Sequence, residues 1–134
     1  QYDVKTAFLH GSMDIEDVYV KQPKGYEIKG KESYVYQLKR SLYGLRQAPR
    51  IWNKVITACF TKIGFVQSKL DPCVFFKISE KEVSLLIVFV DDIIFSTSLK
   101  THNYHQQQLK ETDIDIVDMG PLEYFLGINI CRNR

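Results

Sequence analysis

Two adjacent aspartates, Asp91 and Asp92, break into the most apolar stretch of this chain, residues 85–95. The flanks read Leu85-Leu86-Ile87-Val88-Phe89-Val90 and Ile93-Ile94-Phe95, residue types that favour a strand on either side. Such a run is too short to cross a bilayer, and it holds two carboxylates. Folded as a hairpin, it sets two negative charges side by side at the turn. Aspartate is an ordinary turn residue, so a plain turn is one reading. A plain turn would more naturally use Asn-Gly or Asp-Gly, and adjacent anions repel. Carboxylates at the mouth of an apolar hairpin suit a divalent cation, which takes oxygen ligands and relieves that repulsion. These residues alone leave both readings open.

The rest of the chain frames this hairpin with mixed elements. Residues 1–9 read as a short strand running into a turn at His10-Gly11, and residues 12–17 as a turn or short helix. Val18-Tyr19-Val20 and residues 33–38 read as strands that pair around a charged loop. Pro49 suits a first helical turn, and Ile51, Trp52, Val55, Ile56, Cys59, Phe60 and Ile63 then recur with helical spacing as far as Gly64. Residues 74–77, 83–90 and 93–96 read as strands, 99–112 as a helix and 124–130 as a final strand. Separated antiparallel strands with two helices on one face predict an α+β sandwich.

Composition narrows the function classes. The 134 residues suit one domain with a core of its own. Three scattered cysteines have neither disulfide-framework nor metal-ligand spacing, so reduced thiols are expected. No signal peptide or membrane span is visible, and no membrane partner is expected. The chain opens on Gln1 rather than Met and reads as a piece truncated at both ends. Charge is uneven: residues 1–62 carry 11 Lys and Arg against 6 Asp and Glu, and residues 63–134 carry 7 against 10. Lys39, Arg40, Arg46, Arg50 and Lys54 could neutralise phosphates or form a solvated face. Trp52 reads as core, and His102 and His105 as surface residues of a polar helix. There is no glycine-rich phosphate loop and no Ser-His-Asp arrangement.

Phosphoryl transfer by two metals needs a third carboxylate, because the ions stand only roughly 4 Å apart and share ligands. Asp3 is a candidate, though spacing cannot bring it to Asp91.

Here the motifs speak together. Gln1-Tyr2-Asp3-Val4-Lys5-Thr6-Ala7-Phe8-Leu9-His10-Gly11 strongly resembles the first polymerase motif of copia-type retrotransposon reverse transcriptases. Ser41-Leu42-Tyr43-Gly44-Leu45-Arg46-Gln47-Ala48-Pro49-Arg50-Ile51-Trp52 is similar to their second motif. Val88-Phe89-Val90-Asp91-Asp92 resembles their metal-binding hairpin, and Asp118-Met119-Gly120-Pro121-Leu122-Glu123-Tyr124-Phe125-Leu126-Gly127-Ile128 their downstream segment. These motifs follow the family order and cover essentially the whole chain.

The resemblance implies a right-hand polymerase palm, an antiparallel sheet backed by helices, with part of the fingers inserted at about residues 18–38. It implies template-directed DNA synthesis on an RNA or DNA template with a primer, from deoxynucleoside triphosphates. Asp3 and Asp91 would be the main ligands of two Mg²⁺ ions, or Mn²⁺ in their place, and Asp92 would close the site. Phe8 would lie under the incoming sugar. Gly44 would let backbone approach the nucleotide, with Gln47, Arg46 and Arg50 near it. Phe125, Leu126 and Gly127 would approach the primer. Tyr43 stands where retroviral enzymes carry a glutamine, and that contact is not transferred. Phe89 replaces the family's usual Tyr, and His10 its usual Asn.

Other Pol polyprotein segments (protease, integrase, RNase H) and a cytoplasmic virus-like particle are expected of the parent element. The isolated stretch is expected to be inactive. A non-catalytic relic of a decayed element, binding nucleic acid weakly at most, is the competing reading. A nucleotidyl cyclase shares the metal logic but not the second and last motifs.

Overall fold

A computed structural model describes residues 1–13, 17–80 and 82–131. Among these described residues ten strands and two α-helices follow in order. β1 is Tyr2–Val4, β2 Tyr19–Lys21, β3 Val35–Gln37, α1 Ala48–Lys62, β4 Val66–Gln67, β5 Val74–Ser79 and β6 Glu82–Phe89. After β7 (Asp92–Ser96) come α2 (His102–Lys110), β8 (Ile116–Asp118), β9 (Tyr124–Phe125) and β10 (Ile128–Asn129). No helix among the described residues is long and apolar enough to cross a membrane.

Six strands form one sheet in the order β4-β5-β6-β7-β1-β8, every neighbouring pair antiparallel. The sequence makes this sheet one-sided. Along β6 the buried residues are Ser84, Leu86 and Val88, while Leu85 and Ile87 between them are partly exposed and Val83 and Phe89 on either side are exposed, the period of a strand with one face on a core. β1 contributes Tyr2 and Val4 to the same face, and β7 contributes Ile93. Asp3, between the buried Tyr2 and Val4, pairs with Asp92, which precedes the buried Ile93, so the strand alternation turns both away from the core.

α1 covers the core face. Trp52, Ile56, Cys59 and Phe60 are buried at spacings of four, three and one, and Phe60 meets the ring edge of Phe75 at 5.1 Å between centroids. Each such fully buried aromatic contributes roughly 1.5–3 kcal/mol. Pro49 sits in the first helical turn. The helix ends where expected: Gly64 takes φ 88°, its N–H donates to Thr61 O at 3.0 Å, and the Phe65 N–H donates to Phe60 O at 3.0 Å. That bond pair is a Schellman close, which the left-handed glycine permits. α2 adds Leu109 to the same core cluster, so both helices back one sheet face, as the α+β expectation had it.

Several local expectations are corrected. The opening strand stops at Val4: Thr6 adopts φ 55°, and Ala7–His10 form a 3-10 turn that buries Ala7 and Phe8. The expected strand over residues 124–130 is a hairpin instead, β9 against β10, because Leu126 and Gly127 both take positive φ (48° and 85°) and reverse the chain in two residues. β4 and β8 carry too little pattern to be read from sequence, and pairing alone creates them. The turn or helix expected over residues 12–17 falls largely on residues outside those described. The β2–β3 hairpin forms as expected, with Val20 opposite Tyr36.

His105 is not a surface residue: it is 4% exposed. Its Nε2 lies 3.3 Å from Ser84 Oγ, and its Nδ1 lies 3.3 Å from Gln108 Oε1. Burial pushes the imidazole below its ordinary value, so the folded chain holds it neutral. The unfolded chain therefore binds more protons as pH falls below the ordinary value of 6.5. The stability from this group is complete above that value and is lost as pH falls toward the lower folded one. Thermal midpoints measured at about pH 7.5 and about pH 5.5 should fall further for the wild type than for His105→Gln. An equal fall would exclude His105 as the source.

Candidate active site

The carboxylates come together through backbone pairing. β6 and β7 are joined by Val90 and Asp91, with Phe89 opposite Asp92. Val90 carries φ 52°, and Asp91 is not among the positive-φ residues. A positive φ at the first turn position alone is the type II′ pattern, which usually calls for glycine there. A β-branched residue in that conformation is strained, and surrounding contacts must hold it.

Those contacts are present. The buried Trp52 indole N–H donates to Val90 O at 2.8 Å. The Val4 N–H donates to Asp91 O at 2.8 Å. α1 thus fixes one residue of the turn and β1 the next, and Asp3 precedes Val4. This is how Asp3 and Asp91, far apart in sequence, become neighbours. Trp52 was read as core packing, and it is buried. Its hydrogen bond to the turn was not legible, because an indole donor's partner depends on tertiary placement.

The electrostatics register the crowding. Burial raises the Asp3 carboxyl above the ordinary carboxylate range, the Asp91 and Asp92 charges raise it further, and Lys5 offsets part of this. Lys5 also pairs with Asp115 at 3.3 Å. One Asp92 oxygen accepts from Gln1 Nε2 at 3.3 Å, and Asp91 Oδ1 accepts from the Tyr43 hydroxyl at 2.7 Å. Burial, that hydrogen bond and the Asp91 charge push the Tyr43 phenol up to about 12, with a smaller push from Asp3.

The other expected residues divide. Phe8 is 8% exposed, belongs to the core cluster and packs its ring 4.5 Å from that of Tyr43. Phe8 and Arg50 also border an apolar cavity of about 580 Å³ with Trp52 and Val90. Gly44 follows Tyr43 at φ 92° with open space where a side chain would point. Its backbone conformation, not a crowded neighbour, is what favours glycine. Arg46 is exposed, and Gln47 stands at the N-cap position of α1 with no side-chain capping hydrogen bond. Phe125, Leu126 and Gly127 lie in the separate β9–β10 hairpin. The segment before that hairpin is tied to the site's edge, where the Gln1 terminal amine donates to Gly120 O at 2.7 Å.

Asp3, Asp91 and Asp92 supply oxygen donors alone, the set that hard divalent cations take. Their mutual repulsion is what such an ion would relieve. As the side chains stand, no group of three or more His, Cys, Asp and Glu among the described residues is arranged to hold a metal ion.

A separate surface was missed by sequence reasoning. The β2–β3 ribbon and its loop expose Tyr19, Tyr26, Tyr34 and Tyr36. Lys31 Nζ sits 5.8 Å from the Tyr34 ring centroid. The signal was available in the four tyrosines and four lysines interspersed over residues 19–36.

Comparison with known proteins bears on this arrangement. The sequence model of the family described as "Reverse transcriptase (RNA-dependent DNA polymerase)" matches residues 1–134. The chain is 38% identical, over all its length, to the retrovirus-related Pol polyprotein from transposon TNT 1-94 of Nicotiana tabacum, of which it spans 10%. It is 36% identical over 98% of its length to a transposon Ty5-1 protein of Saccharomyces cerevisiae, spanning 42% of it. It is also 36% identical over 98% of its length to the Pol polyprotein from transposon RE1 of Arabidopsis thaliana, spanning 9%. No solved structure matches.

Trp52→Phe should destabilise the chain by about 1–3 kcal/mol in chemical denaturation, because the Val90 carbonyl loses its buried donor while an aromatic ring remains. A change within experimental error would remove the indole as the turn's anchor. Asp3→Asn, measured without divalent cations at neutral pH, should instead raise stability by relieving the repulsion. A loss there would mean the three charges are not in conflict.

Proposed function

Since the chain belongs to the reverse transcriptase family and is a segment of a copia-type retrotransposon Pol polyprotein, we propose that it is the catalytic palm of an RNA-directed DNA polymerase. The observation that carries this reading is the register that sets Asp3 opposite Asp92 while the Val4 amide binds Asp91 O. Strand β1 and the β6–β7 hairpin thereby bring together the acids that nucleotidyl transfer requires.

In this reading Asp3 and Asp91 hold divalent cations, Mg²⁺ or Mn²⁺, and Asp92 lies beside them. The bound ions supply positive charge to the triphosphate and to the attacking primer hydroxyl. The protein's share is positioning. α1 and β1 hold the turn that presents Asp91, so its carboxylate does not wander with the strained backbone. The Phe8 ring lies beside the site where an incoming sugar would sit. A ring of that kind admits a 2′-hydrogen and collides with a 2′-hydroxyl, which is discrimination by clash.

The nucleic-acid surface has two parts in this reading. Arg46 and Arg50, near the start of α1, face phosphates. The β2–β3 ribbon is the fingers insertion, and its exposed tyrosines stack unpaired template bases while neighbouring lysines meet the backbone. Phe125, Leu126 and Gly127 guide the primer from the β9–β10 hairpin.

Two measurements test these assignments in a complete copia-type polymerase carrying this segment. Asp3→Asn and Asp91→Asn should each reduce primer extension by at least about a hundredfold, since electrostatic stabilisation at such sites is worth that much, while the fold stays intact. Retained extension would refute the metal-ligand roles. Phe8→Val should raise ribonucleotide incorporation relative to deoxyribonucleotide. If both activities and the stability fall together with the ratio unmoved, Phe8 is core and not a gate.

A further inference from the structure

Tyr43 occupies a place that the proposed reaction does not account for. Its hydroxyl donates to Asp91 Oδ1 at 2.7 Å, its ring packs 4.5 Å from Phe8, and it is half exposed at 52%. The residue after it is Gly44 at φ 92°, so the ring sits on a sharp turn rather than inside a strand or helix. The Asp91 backbone is already held by the Val4 amide. Tyr43 therefore fixes only the carboxylate.

That carboxylate is one of the three that the proposed reaction needs. Asp3 feels the Asp91 and Asp92 charges, yet no group of three acids among the described residues is arranged to hold a cation. A carboxylate oxygen accepting a short phenol hydrogen bond has given one of its lone pairs to that donor. The phenol partly neutralises a charge that a divalent cation would otherwise neutralise. A cation drawn to the same oxygen would compete with the phenol for it.

We propose that Tyr43 is a latch on Asp91. The phenol holds the carboxylate when no cation is bound. Cation binding exchanges the hydrogen bond for a metal contact and frees the Tyr43 ring beside Phe8. This rests on the reading of Asp3 and Asp91 as cation ligands. It makes Tyr43 a positioning residue that lowers metal affinity in the free protein and couples metal arrival to the shape of the sugar pocket. No bond to carbon or phosphorus forms or breaks in this step; a hydrogen bond is exchanged for a metal–oxygen contact.

The test is direct Mn²⁺ titration of the 134-residue chain by electron paramagnetic resonance, comparing wild type with Tyr43→Phe, Asp3→Asn and Asp91→Asn. Tyr43→Phe keeps the ring on Phe8 and removes the competitor. It should bind Mn²⁺ about three- to tenfold more tightly, the worth of one such hydrogen bond, while the two aspartate variants bind more weakly. Unchanged or weaker binding in Tyr43→Phe, with the aspartate variants impaired, would overturn the latch and leave the metal ligands standing. Unimpaired binding in the aspartate variants would overturn both. A second measurement needs no variant to fold well. In the wild-type chain the Tyr43 ring resonances should shift when Mg²⁺ is added to saturation. Resonances that stay in place would equally overturn the latch.

Discussion

Val90 and Asp91 form a strained two-residue turn whose carbonyls are both captured, one by an indole from α1 and the other by an amide from β1. The site depends on this double capture. A valine at φ 52° would relax if it were free to do so. Held on two sides, it cannot, and the carboxylate beyond it is presented in one direction. The same two bonds join elements from distant parts of the chain, so the turn's conformation and the domain's packing are one constraint.

The core explains why those donors are in place. Trp52 stands on the face of α1 that also carries Ile56 and Phe60, and this stripe docks on Phe75, Leu86 and Ile93. The docking is apolar and non-directional, yet it delivers a directional donor to Val90. On the other side, Tyr2 and Val4 bury against the same core while Asp3 between them faces outward. Burying the neighbours is what exposes the acid. Partial burial, and after it the nearby Asp91 and Asp92 charges, raise the Asp3 carboxyl, a cost the fold tolerates at the place where a cation would be useful.

Family membership and geometry carry different parts of the conclusion. The match over residues 1–134 assigns the chain to the reverse transcriptases. It does not say how this segment holds its acids, and no solved structure matches to say so. The strand register, the two captured carbonyls and the Tyr43 contact are properties of this fold, and the reading of Tyr43 as a competitor for Asp91 comes from them alone.

The sequence by itself determined the α1 stripe with its Pro49 start and Gly64 stop, the β6–β7 hairpin, the β2–β3 pairing and the candidacy of Asp91 and Asp92. These are local signals, written in periods of two and 3.6 and in residues with few backbone options. The motif order also made Asp3 legible as a third acid. Tertiary structure decided the rest. Val66–Gln67 and Ile116–Asp118 are strands only because partners exist beside them, residues 124–130 fold back on themselves, and His105 is buried against Ser84 of β6. The hydrogen bonds of Trp52 and Tyr43 were equally invisible, because a side-chain donor's partner is chosen by where two distant segments meet. Sequence spacing sets which face a residue takes on its own element, and only packing sets what that face will touch.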